Sequence, residues 1–477
     1  MATLTPRLIP KAPTVAAASA SPLRLLPDNS YAWLTAGLIW VLIVYLTVPE
    51  GFDYSVKEDV YIGGLLSKLV WIALLAVSLA LIVWRGALAM LLARLVNPFF
   101  FAVLVLAAAS VLWSIEPSFT IKRVVRLLTF LLVAMAFTLV NWHERRFQNV
   151  LRPIVTLLML GSLVFGIVSP ELAIEQSDQM ELVGAWHGLT MQKNSLGALA
   201  GIGLVLWIHA WLAREVSVKW ALAGSIVCGA CLILSRSSTS LMATVFALVF
   251  MLMLMRTSRA LRPYMRYLVT LFAVLLLVYS MAVLRLVPAL DFVLSPITAI
   301  TGKDLTFSGR TAIWDIINEH IKERPLLGSG YGAYWIGKVI GTPSYEFVTK
   351  LYFYPSQSHN GYLDVINDLG AVGGLCLVGF LIVYVRQALA LMRGNLVAAA
   401  LYLSLLFQQL VANLSEARWF SSLSVDFAIM TVASLAMSRL LLTDQLQFYA
   451  TAKKVVDTAG SSPVPGARPG WGTLRRP

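Results

Sequence analysis

The sequence contains little charge and little cysteine. Only 13% of its 477 residues are Asp, Glu, Lys or Arg, well below the roughly 25% of a soluble domain. Its three cysteines, Cys228, Cys231 and Cys376, all lie in apolar stretches, which excludes a disulfide framework. The Cys228-x-x-Cys231 spacing is a weak match to a redox motif, and we interpret these thiols as small packing groups.

Other absences exclude further classes of protein. No cluster of His, Cys and carboxylate residues has metal-ligand spacing, and no Asp-x-Asp occurs in a predicted outer connection. A metal-dependent sugar transferase therefore loses support, and no cofactor is predicted. No internal repeat indicates the two-halves architecture of many transporters. Residues 1–28 lack a cleavage site after an apolar core, so no removed signal peptide is predicted.

Long apolar runs fill most of the chain, which is 58% hydrophobic. Stretches of about 20 apolar residues suit transmembrane helices, and their continuous character excludes the alternating strands of a membrane barrel. We therefore predict an all-α polytopic membrane protein with roughly 12 transmembrane helices. The stretches are 31–49, 63–84, 98–115, 120–140, 152–169, 195–213, 218–235, 238–255, 267–288, 371–392, 397–414 and 422–442.

The formal charge of +13 is distributed unevenly between alternate connections. Arg and Lys concentrate in one set, whereas the other short connections are acidic, which is the positive-inside pattern of inner connections. The excess is therefore a topology signal and not a nucleic-acid footprint. It predicts that both termini lie in the cytoplasm. The inner bases include Arg85, Arg94, Arg145, Arg146, Arg152, Arg214, Lys219, Arg256, Arg386 and Arg393.

Five segments follow from this pattern. Residues 1–28 form a disordered cytoplasmic tail, and residues 29–290 hold the first nine helices. Residues 291–360 form a long, partly helical periplasmic loop. Residues 361–445 hold helices ten to twelve, and 446–477 form a second cytoplasmic tail, disordered from about residue 455. Because loops beyond about 12–15 residues are usually functional or disordered, the long periplasmic loop is the predicted catalytic segment.

That loop contains a predicted helix. Residues 311–323 place apolar side chains on one face and charged ones on the other, a spacing typical of an amphipathic helix on a membrane surface. Arg310 precedes it, although a helix N-terminus favours anions. An anionic ligand bound by Arg310 and the free backbone N–H groups explains this placement. The alternative is an ion pair on a hydrated loop.

Further bases lie where the positive-inside pattern does not place them. Arg236 lies between two apolar stretches, near membrane depth. Its planar guanidinium group can donate two parallel hydrogen bonds to phosphate oxygens. Arg123 and Arg126 begin an outer helix, and Lys193 begins another. We predict that these bases bind an anion together with Arg310. Contacts with lipid headgroups are the alternative for each.

His359 is the candidate general base. It lies between two polar residues just before the chain re-enters the membrane, and a histidine suits proton transfer near neutral pH. A structural role is the alternative. Among the aromatic residues of the loop, Trp314 and Tyr331 are candidates for stacking on sugar rings, although interfacial belts are also aromatic.

Several segments resemble the O-antigen ligase and polysaccharide polymerase superfamily. They follow one another over roughly residues 190–370, and Trp113-Ser114-x-x-Pro117 extends the resemblance upstream. The His359–Asp364 stretch is most similar to that of the exopolysaccharide polymerases. The segments are Lys193-Asn194-Ser195-Leu196-Gly197, Ser235-Arg236-Ser237-Ser238-Thr239, Gly309-Arg310-Thr311-x-x-Trp314, Pro325-x-x-Gly328-x-Gly330-Tyr331-Gly332 and His359-Asn360-Gly361-Tyr362-Leu363-Asp364.

The resemblance implies a multi-pass glycosyltransferase of the GT-C class in the bacterial inner membrane, metal-independent and inverting. Its donor would be a glycan on undecaprenyl pyrophosphate, with Arg236 and Arg310 on the diphosphate, His359 as base and Asn360 on the substrate. A polymerase acts on the next lipid-linked repeat unit, whereas a ligase acts on lipid A–core. The implied partners are membrane lipids and other polysaccharide export and chain-length proteins. A lipid-linked oligosaccharide flippase is the alternative from another class.

Overall fold

The computed structural model describes residues 31–54, 64–176, 183–257, parts of 260–278, 310–338 and 340–460, with side chains to residue 447. No β-strand occurs in these ranges. The helices are α1 (Ala32–Thr47), α2 (Leu65–Trp84), α3 (Gly86–Ala93), α4 (Pro98–Ala109), α5 (Pro117–Leu139), α6 (Arg146–Val168), α7 (Pro170–Ala173), α8 (Lys193–Leu212), α9 (Val218–Leu234), α10 (Ser238–Arg256), α11 (Arg310–Glu323), α12 (Glu346–Leu351), α13 (Gly361–Met392), α14 (Leu396–Ala412) and α15 (Val425–Gly460).

The helices follow the predicted apolar stretches. Each stretch coincides with a helix except 267–288, most of which lies outside the described residues. Seven helices are long and apolar enough to cross a membrane, or eight if α3 and α4, bent by 98°, form one span. The described chain is thus an all-helical polytopic membrane protein, as predicted. The total of twelve spans stays a prediction, as do the two tails and the periplasmic placement of the loop.

The helix α15 forms the centre of the bundle. It packs against α5, α13 and α14, and 94% of the residues in its most apolar segment are buried. Two of its buried hydroxyls donate within the helix, Thr431 Oγ1 to Phe427 O and Ser438 Oγ to Ser434 O, each at 2.9 Å. By contrast, α2 exposes large apolar side chains along its length, Leu66 and Ile72 among them. Such exposure suits a helix that faces lipid tails.

The helix α13 is broken at Gly370, where φ is 65°. A broken helix leaves backbone N–H and C=O groups unpaired, which is tolerated at membrane depth only where protein covers the break. Here residues 325–332, which we call the glycine loop, cross the break and pair with it. The bonds join Ala371 N to Pro325 O (2.8 Å), Ser329 N to Asn367 O (3.0 Å) and Gly330 N to Asp368 O (2.9 Å).

Glycine is required at this crossing because the two backbones touch. A Cβ atom on Gly370 would lie 2.2 Å from the carbonyl carbon of Leu326, and one on Gly328 would lie 2.5 Å from that of Asp368. Both glycines also have positive φ, a region that other residues rarely adopt. The Pro-x-x-Gly-x-Gly motif is therefore a segment whose backbone hydrogen bonds hold the first turns of α13 in place.

The connections gather at two opposite ends of the bundle. The loop end contains residues 113–117, 183–193, 235–237, 325–360 and 413–425, which contact one another. Trp113 Nε1 donates to Leu327 O at 3.0 Å there. The basic end contains residues 85–97, 140–146, 213–218 and 393–395. This grouping agrees with the predicted division of connections into two sets.

Candidate active site

A buried carboxylate organises the loop end. Glu416 lies between α14 and α15 and accepts hydrogen bonds from Asn194 Nδ2 at 2.5 Å and Gln357 Nε2 at 2.8 Å. Arg310 NH2 lies 3.7 Å from its Oε1 atom, and His359 Nδ1 lies 3.5 Å from the same oxygen. We call these five residues the Glu416 cluster. It brings two predicted site residues, Arg310 and His359, to a carboxylate from a separate segment of the chain.

The electrostatics of the cluster favour an ionised Glu416. Its side chain is 6% exposed, and burial alone raises the pKa of a carboxyl group. The nearby positive groups of His359, Arg418 and Arg310 outweigh burial and lower the pKa of Glu416 to about 2. Arg310 is further fixed by its NH1 group, which donates to Ser415 O at 2.7 Å. The cluster therefore holds a carboxylate anion at neutral pH, with the guanidinium group of Arg310 beside it.

The backbone around His359 is held in an unusual conformation. His359 has φ of 53°, a left-handed geometry that costs free energy in a non-glycine residue. Both neighbours are anchored: Trp314 Nε1 donates to Ser358 O at 2.9 Å, and Asn360 accepts from two N–H groups at the start of α13. The side chain of His359 nevertheless remains 26% exposed. A residue with a strained backbone and a partly exposed side chain, fixed by buried neighbours, is typical of functional sites.

The predicted loop helix exists as α11. Its bounds, Arg310–Glu323, match the predicted 311–323, and Arg310 is its first residue. The predicted apolar face is buried, including Ile313 and Ile317, and the helix packs against α13. Trp314 is also buried, and its indole N–H donates a hydrogen bond to Ser358 O. Its described role is to hold the His359 turn, so stacking on sugar remains untested.

Arg236 and Lys193 lie beside the Glu416 cluster. Arg236 is exposed with φ of 49°, and its NH1 group donates to Val183 O at 2.7 Å. Ser240, at the start of α10, donates to Asn194 O at 3.3 Å, which links this segment to the cluster. Lys193 is the first residue of α8, next to Asn194. The structure thus places both bases at the loop end, without a described contact between Arg236 and Arg310.

The bases Arg123 and Arg126 point in different directions. Arg123 NH2 donates to Trp335 O at 3.0 Å, and the Arg123 side chain packs closely over Gly332. The guanidinium of Arg126 lies 5.5 Å from the ring centroid of Trp71, a cation–π geometry with α2. Arg123 therefore contacts the glycine loop, whereas Arg126 contacts α2. The two side chains do not form the shared anion-binding face that was predicted for them.

A cavity of about 340 Å³ adjoins the Glu416 cluster. We call it the glycine-loop cavity after Tyr331 and Gly332 of that loop; residues 416–425 and the first turns of α13 form much of the rest of its wall. Glu416 and Gln357 line the cavity and also belong to the cluster, so the two are continuous. Other lining residues include Arg123, Tyr331, Trp335, Asp364, Asp368 and Trp419.

Two further predicted residues have structural contacts. Tyr331 lines the cavity, and its hydroxyl donates to Phe420 O at 2.5 Å. Asn360 is fully buried and caps α13 with its side-chain oxygen, which accepts from Tyr362 N at 3.0 Å and Leu363 N at 3.2 Å. Within the described residues, no group of three or more His, Cys, Asp or Glu side chains is placed to hold a metal ion.

Sequence reasoning missed Glu416, Asn194 and Gln357. Glu416 lies in a stretch of about a dozen residues between α14 and α15, for which no role is predicted from the sequence. The available signal was its composition, since Asn413-Leu414-Ser415-Glu416-Ala417-Arg418 is polar beside two apolar helices. The Asn194–Glu416 bond joins residues 222 positions apart. No local pattern predicts a contact of that range.

Comparisons with known proteins agree with this geometry. A profile of the O-antigen ligase family matches residues 223–378, which include Arg236, Arg310 and His359. The chain is 25% identical over 292 residues to the exopolysaccharide production protein ExoQ of Rhizobium meliloti (strain 1021). That alignment covers 59% of this chain and 63% of ExoQ, less than two thirds of the relative. The predicted resemblance to the O-antigen ligase and polysaccharide polymerase superfamily is confirmed.

Proposed function

We propose that the protein is a metal-independent glycosyltransferase that polymerises glycan repeat units carried on undecaprenyl pyrophosphate. The reaction takes place at the periplasmic face of the bacterial inner membrane, and its product is an exopolysaccharide or O-antigen. The observation that carries the proposal is the Glu416 cluster, in which one buried carboxylate contacts both Arg310 and His359. The family match and the printed name of the ExoQ relative support the same class of reaction.

In the proposed reaction, a sugar hydroxyl of the acceptor attacks the anomeric carbon of the donor. A carbon–oxygen bond forms there while the bond to the diphosphate breaks, with inversion. His359 accepts the hydroxyl proton, and undecaprenyl pyrophosphate leaves. Arg310 and Arg236 bind the diphosphate, whose negative charge grows as the bond breaks. Preorganised cations in a site poor in water stabilise such charge strongly.

Glu416 has a positioning role in this mechanism. It lies 3.5 Å from His359 Nδ1, so the other ring nitrogen is the one that faces the substrate. A carboxylate beside an imidazole fixes its orientation and stabilises the cation that forms on proton uptake. Asn194 and Gln357 hold the carboxylate with hydrogen bonds to its two oxygens. The base is therefore oriented before substrate arrives.

A ligase is the second candidate, because the matching family is described as O-antigen ligase. Its chemistry is the same, with lipid A–core as acceptor. The two functions are separated by deleting the gene and analysing the lipid-linked glycan that accumulates. We expect single repeat units that are accessible at the outer face of the membrane. Finished lipid-linked polymer would indicate the ligase, and single units confined to the inner face would indicate a flippase. Unchanged lipid-linked glycan would contradict the proposal.

A further inference from the structure

We propose that the glycine-loop cavity binds a sugar unit of the acceptor glycan through Asp364 and Asp368. This inference rests on the proposed function and assigns one part of the substrate to one part of the site. The cavity is continuous with the Glu416 cluster, because Glu416 and Gln357 belong to both. A molecule in the cavity therefore lies next to the carboxylate that contacts His359.

The charges of the cavity wall differ from those around it. Asp364, Asp368 and Glu416 supply three carboxylates to the lining, against the two bases Arg123 and Arg418. Arg418 is already paired with the buried Asp426. Among the described residues, the other candidate bases of the loop end lie outside this lining. They are Lys193, Arg236, Arg310 and His359.

This separation decides which part of the substrate fits where. The lining has three acidic side chains against two bases, so it offers a diphosphate no net positive charge, and the diphosphate belongs with the bases outside the cavity. Carboxyl groups accept hydrogen bonds from sugar hydroxyls, and a protonated carboxyl group also donates one. An inverting attack brings the acceptor hydroxyl from the side opposite the leaving group. The cavity therefore suits the acceptor sugar and not the donor diphosphate.

The two carboxylates are held in place by the fold. They stand four positions apart on α13, so they share one face of the helix. Trp335 Nε1 donates to Asp364 Oδ1 at 3.1 Å, and Gly332 N donates to Asp368 Oδ2 at 2.8 Å. The second oxygen of Asp368 has no hydrogen-bond partner among the described residues. A buried acceptor without a partner is costly, and a ligand hydroxyl would satisfy it.

Aromatic side chains complete the wall. Tyr331, Trp335, Tyr354 and Trp419 line the cavity, and several are fixed by hydrogen bonds. The Tyr354 hydroxyl, for example, accepts from Gly337 N at 2.9 Å. Trp419 is buried, and its indole N–H has no partner among the described residues. Flat apolar surfaces beside carboxylates and an unpaired donor match a sugar ring, which has apolar faces and hydroxyl edges.

The test is a binding measurement without turnover. The probe is the soluble repeat-unit oligosaccharide released by mild acid from the lipid-linked glycan of the producing cell. Purified full-length protein is titrated with this probe, and binding is followed by tryptophan fluorescence. We expect Asp364→Asn and Asp368→Asn each to weaken binding about tenfold or more, as when a buried hydrogen bond to a ligand is lost. Each Asn retains an oxygen for the protein's own hydrogen bond, and gel filtration checks folding.

The controls separate this inference from the proposed function. Asp315→Asn removes an exposed charge on α11, and we expect wild-type binding. Arg310→Lys should also bind the oligosaccharide normally, even when it is inactive in transfer, because the probe carries no diphosphate. Wild-type binding by both α13 variants, or no binding by the wild-type protein, would overturn the inference. An equal loss in Arg310→Lys would place the sugar with the donor diphosphate and would also overturn it.

Discussion

Each end of the helix bundle contains a buried glutamate surrounded by bases and amides. At the basic end, Glu215 is 3.1 Å from Arg152 and accepts from Gln148 at 3.0 Å. The side chains of Glu215 and Arg152 are 5% and 9% exposed, so the pair is closed to solvent. At the loop end, Glu416 is as deeply buried, but Arg310 and His359 lie 3.5–3.7 Å away and stay 21% and 26% exposed.

The difference separates a structural ion pair from a candidate site. A closed pair satisfies its own charges and holds the connection after α8 against α6. The Glu416 cluster instead holds its cations at longer distances beside a cavity, where a substrate can reach them. Backbone strain does not distinguish the two ends, because Arg214 next to Glu215 also has positive φ. Exposure of a cation does not distinguish them either, because Arg145 lies 3.8 Å from Glu215 and is 56% exposed. The adjoining cavity is the feature that marks the loop end.

The largest expected effect is from His359. His359→Ala should reduce transfer by about 10²–10⁴-fold, the usual contribution of a positioned general base. Donor binding should survive, because the diphosphate is bound by arginine. The matched control is His209→Ala, since His209 is buried and contacts Val397 O at the opposite end. The measurement is transfer by purified protein in excess chelator.

Wild-type transfer by His359→Ala would contradict the assignment of the base. Loss of wild-type activity in chelator, restored by a divalent ion, would contradict the proposed metal-independent chemistry. A rate loss in His209→Ala at equal protein amount would remove the distinction between the two ends.

The arginines are expected to have the next largest effect. Arg310→Lys keeps the charge but loses the planar fork that matches phosphate oxygens, so activity should fall about tenfold to a hundredfold. Arg236→Ala should lose a similar share of the transfer activity, and the amount of protein in the membrane should not fall. Arg152→Lys at the basic end is the control and should retain its rate per molecule. If Arg310→Lys and Arg236→Ala both transfer at the wild-type rate, neither arginine binds the leaving group.

Glu416 should have a smaller effect that changes with pH. Glu416→Gln keeps the size of the side chain and one of its two accepted hydrogen bonds, but it removes the negative charge. A carboxylate beside an imidazole favours the protonated form, which is inactive as a base. We expect a lower maximal rate and an acidic limb of the pH–activity profile displaced to lower pH. Glu215→Gln should lower only the amount of folded protein. An unchanged profile in Glu416→Gln would show that the carboxylate does not act through His359.

Acid stability should show the smallest effect. The folded-state pKa of Glu416 is about 2, below the ordinary value of 4.5, so its ionised form is favoured by folding. That contribution is present above the ordinary pKa and is lost as the pH falls from about 4.5 towards 2. Thermal unfolding in detergent should therefore be less acid-sensitive in Glu416→Gln than in wild type across this window. Equal acid sensitivity would indicate that Glu416 is not held as an anion.

Local patterns predicted much of the fold and the separate site residues. The apolar runs predicted the helices, and periodicity predicted α11 within one residue of its start. The break at Gly370 was missed because the predicted apolar stretch begins at residue 371, and the polar turns before it, with Asp364, Asn367 and Asp368, were not predicted as part of the same helix. Glu416 was missed because its partners Asn194, Gln357 and His359 come from other segments. Contacts between distant segments depend on the packing of whole helices, which periodicity does not describe.

The most direct test of the account is the side of the membrane that each end faces. Tyr352 is 90% exposed at the loop end, and Glu144 is exposed at the basic end. Each is replaced by cysteine in a Cys376→Ser background, and intact cells are treated with a maleimide that does not cross the inner membrane. We predict labelling at position 352 in intact cells and at position 144 only after the membrane is opened. Labelling at 144 with protection at 352 would contradict transfer at the periplasmic face.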